Sequence, residues 1–333
     1  MSGTKLDRRT FLALGAGALG VATAPAWLRP GERLVRLTVP VMGTVGELAV
    51  PARHERLARQ ALGAAAAELR RIEGLMTRFS PDSDVGRFNA AAPGTTVSVS
   101  PETAEVVREA LDWARAGDGA FDPTLERLSV LWDPTTAVVP PDAVRLRAAE
   151  AGGWRSLAVD GSPGASRILR TPGAALDLGG IAKGYGVDRA AAVLREHGIH
   201  RGLVNVGGDL MALGDGPGGD PWRIGVRDPA HPSGIVTTLE MVDAAVATSG
   251  DYLRYLEHDG RRYAHILDAR TREPARGGLH SITVSGKRVV DADAAATLTF
   301  VLGPEEGRRV LEGRMAPLRI EHHIPSTLNG RPT

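Results

Sequence analysis

Between residues 34 and 302 the hydrophobic period changes repeatedly between two residues and three to four, without the even strand–helix spacing of a doubly wound sheet. Such irregular interspersion predicts an α+β fold, with mixed or antiparallel sheets and outer helices. Residues 34–48 read as strand, Arg and Thr alternating against Leu and Val, before and around Met42-Gly43-Thr44. Over residues 52–79, Leu57, Ala61, Ala65, Leu69, Ile72 and Met76 recur at helical spacing. Residues 80–84 read as a turn. Ser100 as N-cap and Pro101 at the first helical position open a second helix that buries Val106, Ala110 and Ala114. A third helix is predicted over 185–197, closed by Gly198, and further ones over 293–302 and from Pro304. Strands are predicted over 203–206, 222–226, 237–246 and 281–284. Residues 133–175 predict short elements and loops, and residues 322–333 a frayed tail. The expected layout is one domain over 33–315 and a C-terminal tail over 316–333.

Charge and composition exclude several classes. Forty basic and 39 acidic residues leave a net charge of +1 across 333 residues, too little field for a protein held on nucleic acid by its phosphates. The chain has no Cys, which rules out disulfides, thiolate metal sites, a Cys nucleophile and a lipidated N-terminal Cys. At 43% hydrophobic residues it has enough apolar side chain for a core, built mainly of Ala, Val and Leu. Among the 40 basic residues only Lys5, Lys183 and Lys287 are Lys.

Residues 1–26 read as an export signal. Arg8-Arg9 lie in a polar start, a short Gly-rich apolar stretch follows over 11–22, and Ala22-Thr23-Ala24 and Ala24-Pro25-Ala26 offer small-x-small cleavage patterns. The paired Arg before a weak apolar core resembles a twin-arginine signal, which implies a periplasmic or other extracytoplasmic destination. If uncleaved, the segment would also give transient membrane association. Gly15-Ala16-Gly17-Ala18-Leu19-Gly20 matches the dinucleotide fingerprint by letter. It has no strand before it and is discounted.

The chemistry concentrates further on. In Asp177-Leu178-Gly179-Gly180-Ile181-Ala182-Lys183-Gly184-Tyr185-Gly186-Val187-Asp188, glycines free the backbone just before a helix start, and one of the three Lys stands among them. An anion site and a loop with a solvated Lys both fit that pattern. In Asn205-Val206-Gly207-Gly208-Asp209 the Asp reads foremost as a turn former, and Asn205 and Asn89 both read as lying in backbone-exposed turns. Asp293 and Thr297, four apart, share one helix face, and with phosphate oxygens they would suit a hard cation such as Mg²⁺. Asp291 nearby fits a cap equally well. His265, three residues before Asp268, fits either a structural His or a proton carrier.

Taken in order, these segments resemble ApbE-type FAD:protein FMN transferases. The resemblance rests on Met42-Gly43-Thr44; Phe79-Ser80-Pro81-Asp82-Ser83 with Arg87-Phe88-Asn89; Gly119-Ala120-Phe121-Asp122-Pro123-Thr124; the segment 177–185; Asn205 to Asp209; Ala247-Thr248-Ser249-Gly250-Asp251-Tyr252; His265 to Asp268; and Asp293 with Thr297. It implies an α+β fold whose two related halves clasp FAD. By position it puts Met42, Phe79, Ala120, Phe121 and Asp122 around the flavin and ribityl chain, with Asp177, Lys183 and the Leu267 backbone on the nucleotide. It implies the Gly180 carbonyl, Asp293 and Thr297 as Mg²⁺ ligands and His265 near the chemistry. The implied reaction moves FMN from FAD to a Thr or Ser hydroxyl of an acceptor protein and releases AMP. An FAD pyrophosphatase and a non-catalytic flavin binder are the alternatives. The chain departs from the family pattern at Ala264, where Ser is usual, at Phe79, where Tyr or Trp is also found, and at Asp268-Ala269-Arg270-Thr271-Arg272, which lacks that turn's Pro and Gly.

Overall fold

A computed structural model of the chain describes residues 19–20 and 32–326, apart from 53–54, 134–137, 143, 146–152, 161–165, 232–233, 253–254, 260 and 315–316. A seven-stranded sheet organises it. Its strands are β2 (Leu34–Val41), β3 (Thr44–Pro51), β7 (Gly202–Val206), β8 (Asp209–Leu213), β11 (Ala244–Gly250), β16 (Leu279–Gly286) and β17 (Arg319–Pro325). They lie in the order β17-β16-β11-β8-β7-β3-β2. Each neighbouring pair is antiparallel, so of the two sheet types expected only the antiparallel one occurs among the described strands.

Smaller antiparallel sheets surround it: β1 (Leu19–Gly20), β9 (Trp222–Arg227) and β10 (Ile235–Met241) form one, and β4 (Thr96–Ser98), β5 (Ala158–Val159) and β6 (Arg167–Leu169) another. Two hairpins complete the strands, β12 (Tyr255–His258) with β13 (Arg261–Ala264) and β14 (Leu267–Asp268) with β15 (Glu273–Pro274). The export signal expected over 1–26 lies outside the described residues except for β1, whose Leu19 and Gly20 pair with Val226 and Gly225.

Helices α1 (Glu55–Met76), α2 (Asp84–Ala90), α3 (Pro101–Ala116), α4 (Glu126–Leu131), α5 (Ala182–Glu196), α6 (Val289–Leu302) and α7 (Pro304–Glu312) complete the described fold. Strand alternation splits the main sheet's side chains between two cores. Val204, Val206, Met211 and Leu213 meet Leu62, Leu69, Val187 and Leu194 of α1 and α5. Leu203, Leu210 and Ala212 face the other way, onto Trp222, Ile224 and Val226 of β9. Both faces being covered, β7 and β8 are buried at every position.

Helix α6 is apolar almost all round and sits in the largest core, which is the setting expected of such a helix. Its first turn is capped from outside the helix: the Val289 and Val290 amides donate to the two Asp188 carboxylate oxygens at 2.9 and 3.0 Å. Arg288 occupies the cap position and makes no side-chain cap bond, so Asp291 is not the cap. Burial pushes the Asp188 carboxyl up to about 6, against the pull of those two amides.

Four local expectations need correction. The single strand expected over 237–246 is two strands in different sheets, broken where Asp243 takes φ 44° and accepts the Gly214 amide at 2.9 Å. Helix α5 starts at Ala182, because Ala182 and Lys183 are good helix formers and the glycines between them and Asp177 end before it. Asn89 lies in α2, not in a turn, and clamps the Leu176 backbone through both amide atoms at 2.6 and 2.9 Å. Residues 322–325 of the tail expected to fray belong to β17, whose alternating pattern joins it to the sheet edge beside β16, and 327–333 lie outside the described residues.

Candidate active site

Asp293 is at the centre. It projects from the second turn of the buried helix α6, and α5 passes close enough for the Gly184 amide to donate to its Oδ2 at 3.0 Å. Only glycine permits that approach, since a Cβ at position 184 would stand 2.5 Å from the Val289 carbonyl oxygen and 2.8 Å from Asp293 Cβ. One residue earlier, Lys183 reaches between two carboxylates. Its Nζ lies 2.6 Å from Asp209 Oδ2 and 3.3 and 3.4 Å from the two oxygens of Asp293. The Lys183 side chain is 29% exposed, whereas those of Asp209 and Asp293 are 2% and 3% exposed.

This arrangement alters two readings of the sequence. Lys183 is inside the first turn of a helix and paired, so it is not the ammonium of a solvated loop. Asp209 is not a turn former; it begins β8, and the Gly207-Gly208 turn before it aims its carboxylate at Lys183. Burial works against the Lys183 charge, but Asp209 and Asp293 outweigh it and hold the ammonium above its ordinary range. Burial and the Asp293 charge push Asp209 up to about 7 despite Lys183. Two buried carboxyl groups thus face one partly exposed ammonium.

The other two ligands implied for Mg²⁺ lie beside this group. Thr297 is one turn beyond Asp293, its hydroxyl 3.4 Å from that of Ser249 on β11. Gly180 rests against Thr297 and Phe121: a Cβ there would be 3.1 Å from Thr297 Cγ2 and 3.0 Å from Phe121 Cε2. Among the described residues no group of three or more His, Asp or Glu side chains is set to hold a metal ion.

The residues implied for the flavin and nucleotide form an adjoining wall. Ala120 and Phe121 are buried. Asp122 holds the loop after them, accepting the Thr124 hydroxyl and amide at 2.6 and 2.8 Å and the Trp154 amide at 3.1 Å, while burial pushes its carboxyl up. The Asp177 amide donates to the Pro123 carbonyl, and its Oδ1 accepts the Gly179 amide at 2.9 Å. Phe79 is 80% exposed and is covered on one face by the Arg78 guanidinium, 4.2 Å from the ring centre. Arg78 also meets Glu126 at 3.0 Å and Asp177 at 3.7 Å. Burial, with Asp177 adding to it and Arg78 opposing, pushes Glu126 up to about 7. Met42 turns at φ 52°, with its amide donating to Glu73 Oε1 at 2.8 Å and its methyl lying over Gly186 of α5.

His265 and Leu267 belong to a third element. His265 is exposed in the bend between β13 and β14. Leu267 is buried with Leu128, Trp132 and Leu256 and lies in β14 opposite Pro274. The altered 268–272 turn, without Pro or Gly, is held by Asp268. Asp268 accepts the Arg270 amide at 2.9 Å, its carbonyl accepts the Arg272 amide at 2.7 Å, and Arg272 takes φ 63°.

The sequence did not single out Arg78, Glu126 or Ser249 as individual site residues. It also did not separate out Asp251, buried against His280, with the Tyr252 hydroxyl beside them buried and without a hydrogen-bond partner. Ser249, Asp251 and Tyr252 carried a signal only as part of the 247–252 motif, and Asp209 as the acid following a strand and a Gly pair.

The family model for the ApbE family matches residues 42–320. The chain belongs to the ApbE family. A Vibrio cholerae protein named FAD:protein FMN transferase is 34% identical over 255 residues, 75% of this chain and 75% of that protein. A Rhodobacter capsulatus protein of the same name is also 34% identical, over 96% of this chain and 61% of its own length. The crystal structure of the ApbE protein from Thermotoga maritima superposes with a TM-score of 0.79 at 33% identity, covering 86% of this chain and 94% of that one. The family match thus spans the region where Asp293, Lys183 and Asp209 meet. Among the described residues of this ApbE-family chain, no helix is long and apolar enough to cross a membrane.

Proposed function

We propose that this chain transfers the FMN portion of FAD to a Thr or Ser hydroxyl of an acceptor protein and releases AMP, with Mg²⁺ as the required cation. The observation that carries the reading is the cluster of the buried carboxyls of Asp293 and Asp209 with Lys183, next to a hydroxyl and a glycine backbone. Carboxylate, hydroxyl and carbonyl oxygens are the donors a hard cation takes, and a single charged ligand leaves positions for phosphate oxygens. Asp293, Thr297 and the Gly180 carbonyl would hold the cation. When bound, it would neutralise charge developing on the pyrophosphate and ease the departure of AMP.

The chain's own residues do the rest. Phe79 offers an aromatic face, and Phe121 and Met42 offer apolar surface, for the flavin. Asp177, held by the Gly179 amide, and the Leu267 backbone orient the nucleotide. Lys183 supplies positive charge beside the pyrophosphate. His265 accepts the proton of the acceptor hydroxyl as its oxygen forms a bond to the FMN phosphorus and the bond to the AMP oxygen breaks. The exposure of His265 suits that role, because the acceptor must approach from outside.

Incubating the protein with FAD and Mg²⁺, with and without a candidate acceptor, and measuring AMP by chromatography tests the proposal. AMP release that depends on Mg²⁺ and collapses in Asp293→Ala is the expected result. FAD consumed to FMN and AMP at an undiminished rate with no acceptor modification would identify a hydrolase. For the N-terminus we propose twin-arginine export into the periplasm or another extracytoplasmic space. Replacing Arg8 and Arg9 together with Lys should strand the precursor in the cytoplasm, and unchanged export would refute it.

A further inference from the structure

The contacts of Lys183 point beyond phosphate binding. Its ammonium faces both oxygens of Asp293, the only charged residue among the proposed Mg²⁺ ligands, yet its shortest contact is to Asp209. Asp209 is 1% exposed as a residue and sits on a strand buried at every position, where Lys183 is its charged partner. Asp293, by contrast, has a second donor in the Gly184 amide. A divalent cation seated on Asp293 would lie a few ångström from an ammonium, and at an effective dielectric of about 20 that repulsion is large.

We propose that Lys183 is a resting counter-ion shared by Asp209 and Asp293, and that it withdraws from Asp293 and stays on Asp209 when a divalent cation arrives. This rests on the Mg²⁺ reading above. It adds that the cation competes with a residue of the chain, so the FAD-free site binds metal weakly. A bound pyrophosphate favours the exchange by giving the withdrawn ammonium and the cation the same anionic partner. Asp209 is then a positioning residue. It keeps Lys183 charged and close without leaving it on Asp293.

Mn²⁺ binding to the FAD-free protein, followed by electron paramagnetic resonance of the free ion, reads this without turnover. Removing the ammonium in Lys183→Met should tighten Mn²⁺ binding by about tenfold or more, as loss of a like charge a few ångström away requires. Asp209→Asn should weaken binding by a similar factor in the wild-type background, since Lys183 then rests on Asp293 alone. In the Lys183→Met background the same change should have an effect of about threefold or less, because there is no ammonium left to hold. Unchanged or weaker Mn²⁺ binding in Lys183→Met overturns the proposal. So does an equal effect of Asp209→Asn in both backgrounds. If Lys183→Met does not fold, Lys183→Gln carries the same prediction while keeping a donor to Asp209. The underlying metal reading has its own check. With FAD present, Asp293→Ala should abolish Mn²⁺ binding, and binding indifferent to that change would overturn the metal site and not merely the exchange.

Discussion

Replacing Gly184 with Ala sets two opposing effects against each other, and the structure decides the sign. In an exposed helix interior the change removes the entropic disadvantage of glycine and stabilises by roughly 1 kcal/mol. At Gly184 the new methyl would stand 2.5 Å from the Val289 carbonyl oxygen, 2.7 Å from its carbon and 2.8 Å from Asp293 Cβ. Two of those atoms are backbone of α6, so no side chain can rotate away, and the helices must separate. Overpacking of that kind costs about 1–3 kcal/mol, at the upper end where backbone has to move. The net expectation is destabilisation of about 1–2 kcal/mol, together with a larger loss of activity, because the shift displaces the carboxylate that the Gly184 amide holds. Gly63, in the middle of α1 with nothing within 4 Å of where its methyl would stand, is the matched control and should gain about 1 kcal/mol as Ala. Denaturant unfolding of the two variants beside wild type measures both. Gly184→Ala as stable and as active as Gly63→Ala would refute the claim that close contact of α5 and α6 builds the site.

Asp188→Ala should cost about 1–2 kcal/mol in the same assay, because it leaves the Val289 and Val290 amides at the start of α6 without their acceptor; an unchanged midpoint would show that other groups satisfy them. Arg272→Gly should stabilise by about 1 kcal/mol, relieving a left-handed φ of 63°, and a loss of stability would count against strain at that turn. Glu126 is raised from 4.5 to about 7, so the folded state holds its proton more tightly than the unfolded chain. Its contribution is therefore present below pH 4.5 and lost as pH rises through about 7. Wild type should lose stability relative to Glu126→Gln across that window, and parallel pH profiles would contradict it.

Much of this was legible in the sequence because it depends on local rules. The Ser100-Pro101 start of α3 and the apolar spacing of α1 are set by neighbours within a turn or two. The breaks and re-pairings were less legible. One apolar run over 237–246 serves two sheets, and nothing local marks Asp243 as the point of transfer. The β17 edge strand forms because β16 is already in place, a contact remote in sequence. At the site, segment 177–188 and Asp293 with Thr297 announced themselves through residue type and spacing. The partnership of Lys183 with Asp209 and Asp293 did not, since it joins residues 26 and 110 positions apart through the packing of α5 on β8 and α6. In the 268–272 turn, which lacks the family's Pro and Gly, the bonds made by Asp268 join residues only two and four apart, yet residue type alone does not announce them.

Intact-mass measurement of an acceptor protein tests the central claim most directly. After incubation with the enzyme, FAD and Mg²⁺, the account predicts an acceptor heavier by one FMN unit less water, localised to a Thr or Ser and matched by AMP. The gain should vanish with Asp293→Ala enzyme or when that acceptor residue is changed to Ala. An acceptor of unchanged mass while FAD is consumed, or one modified equally well by the Asp293→Ala enzyme, would contradict it.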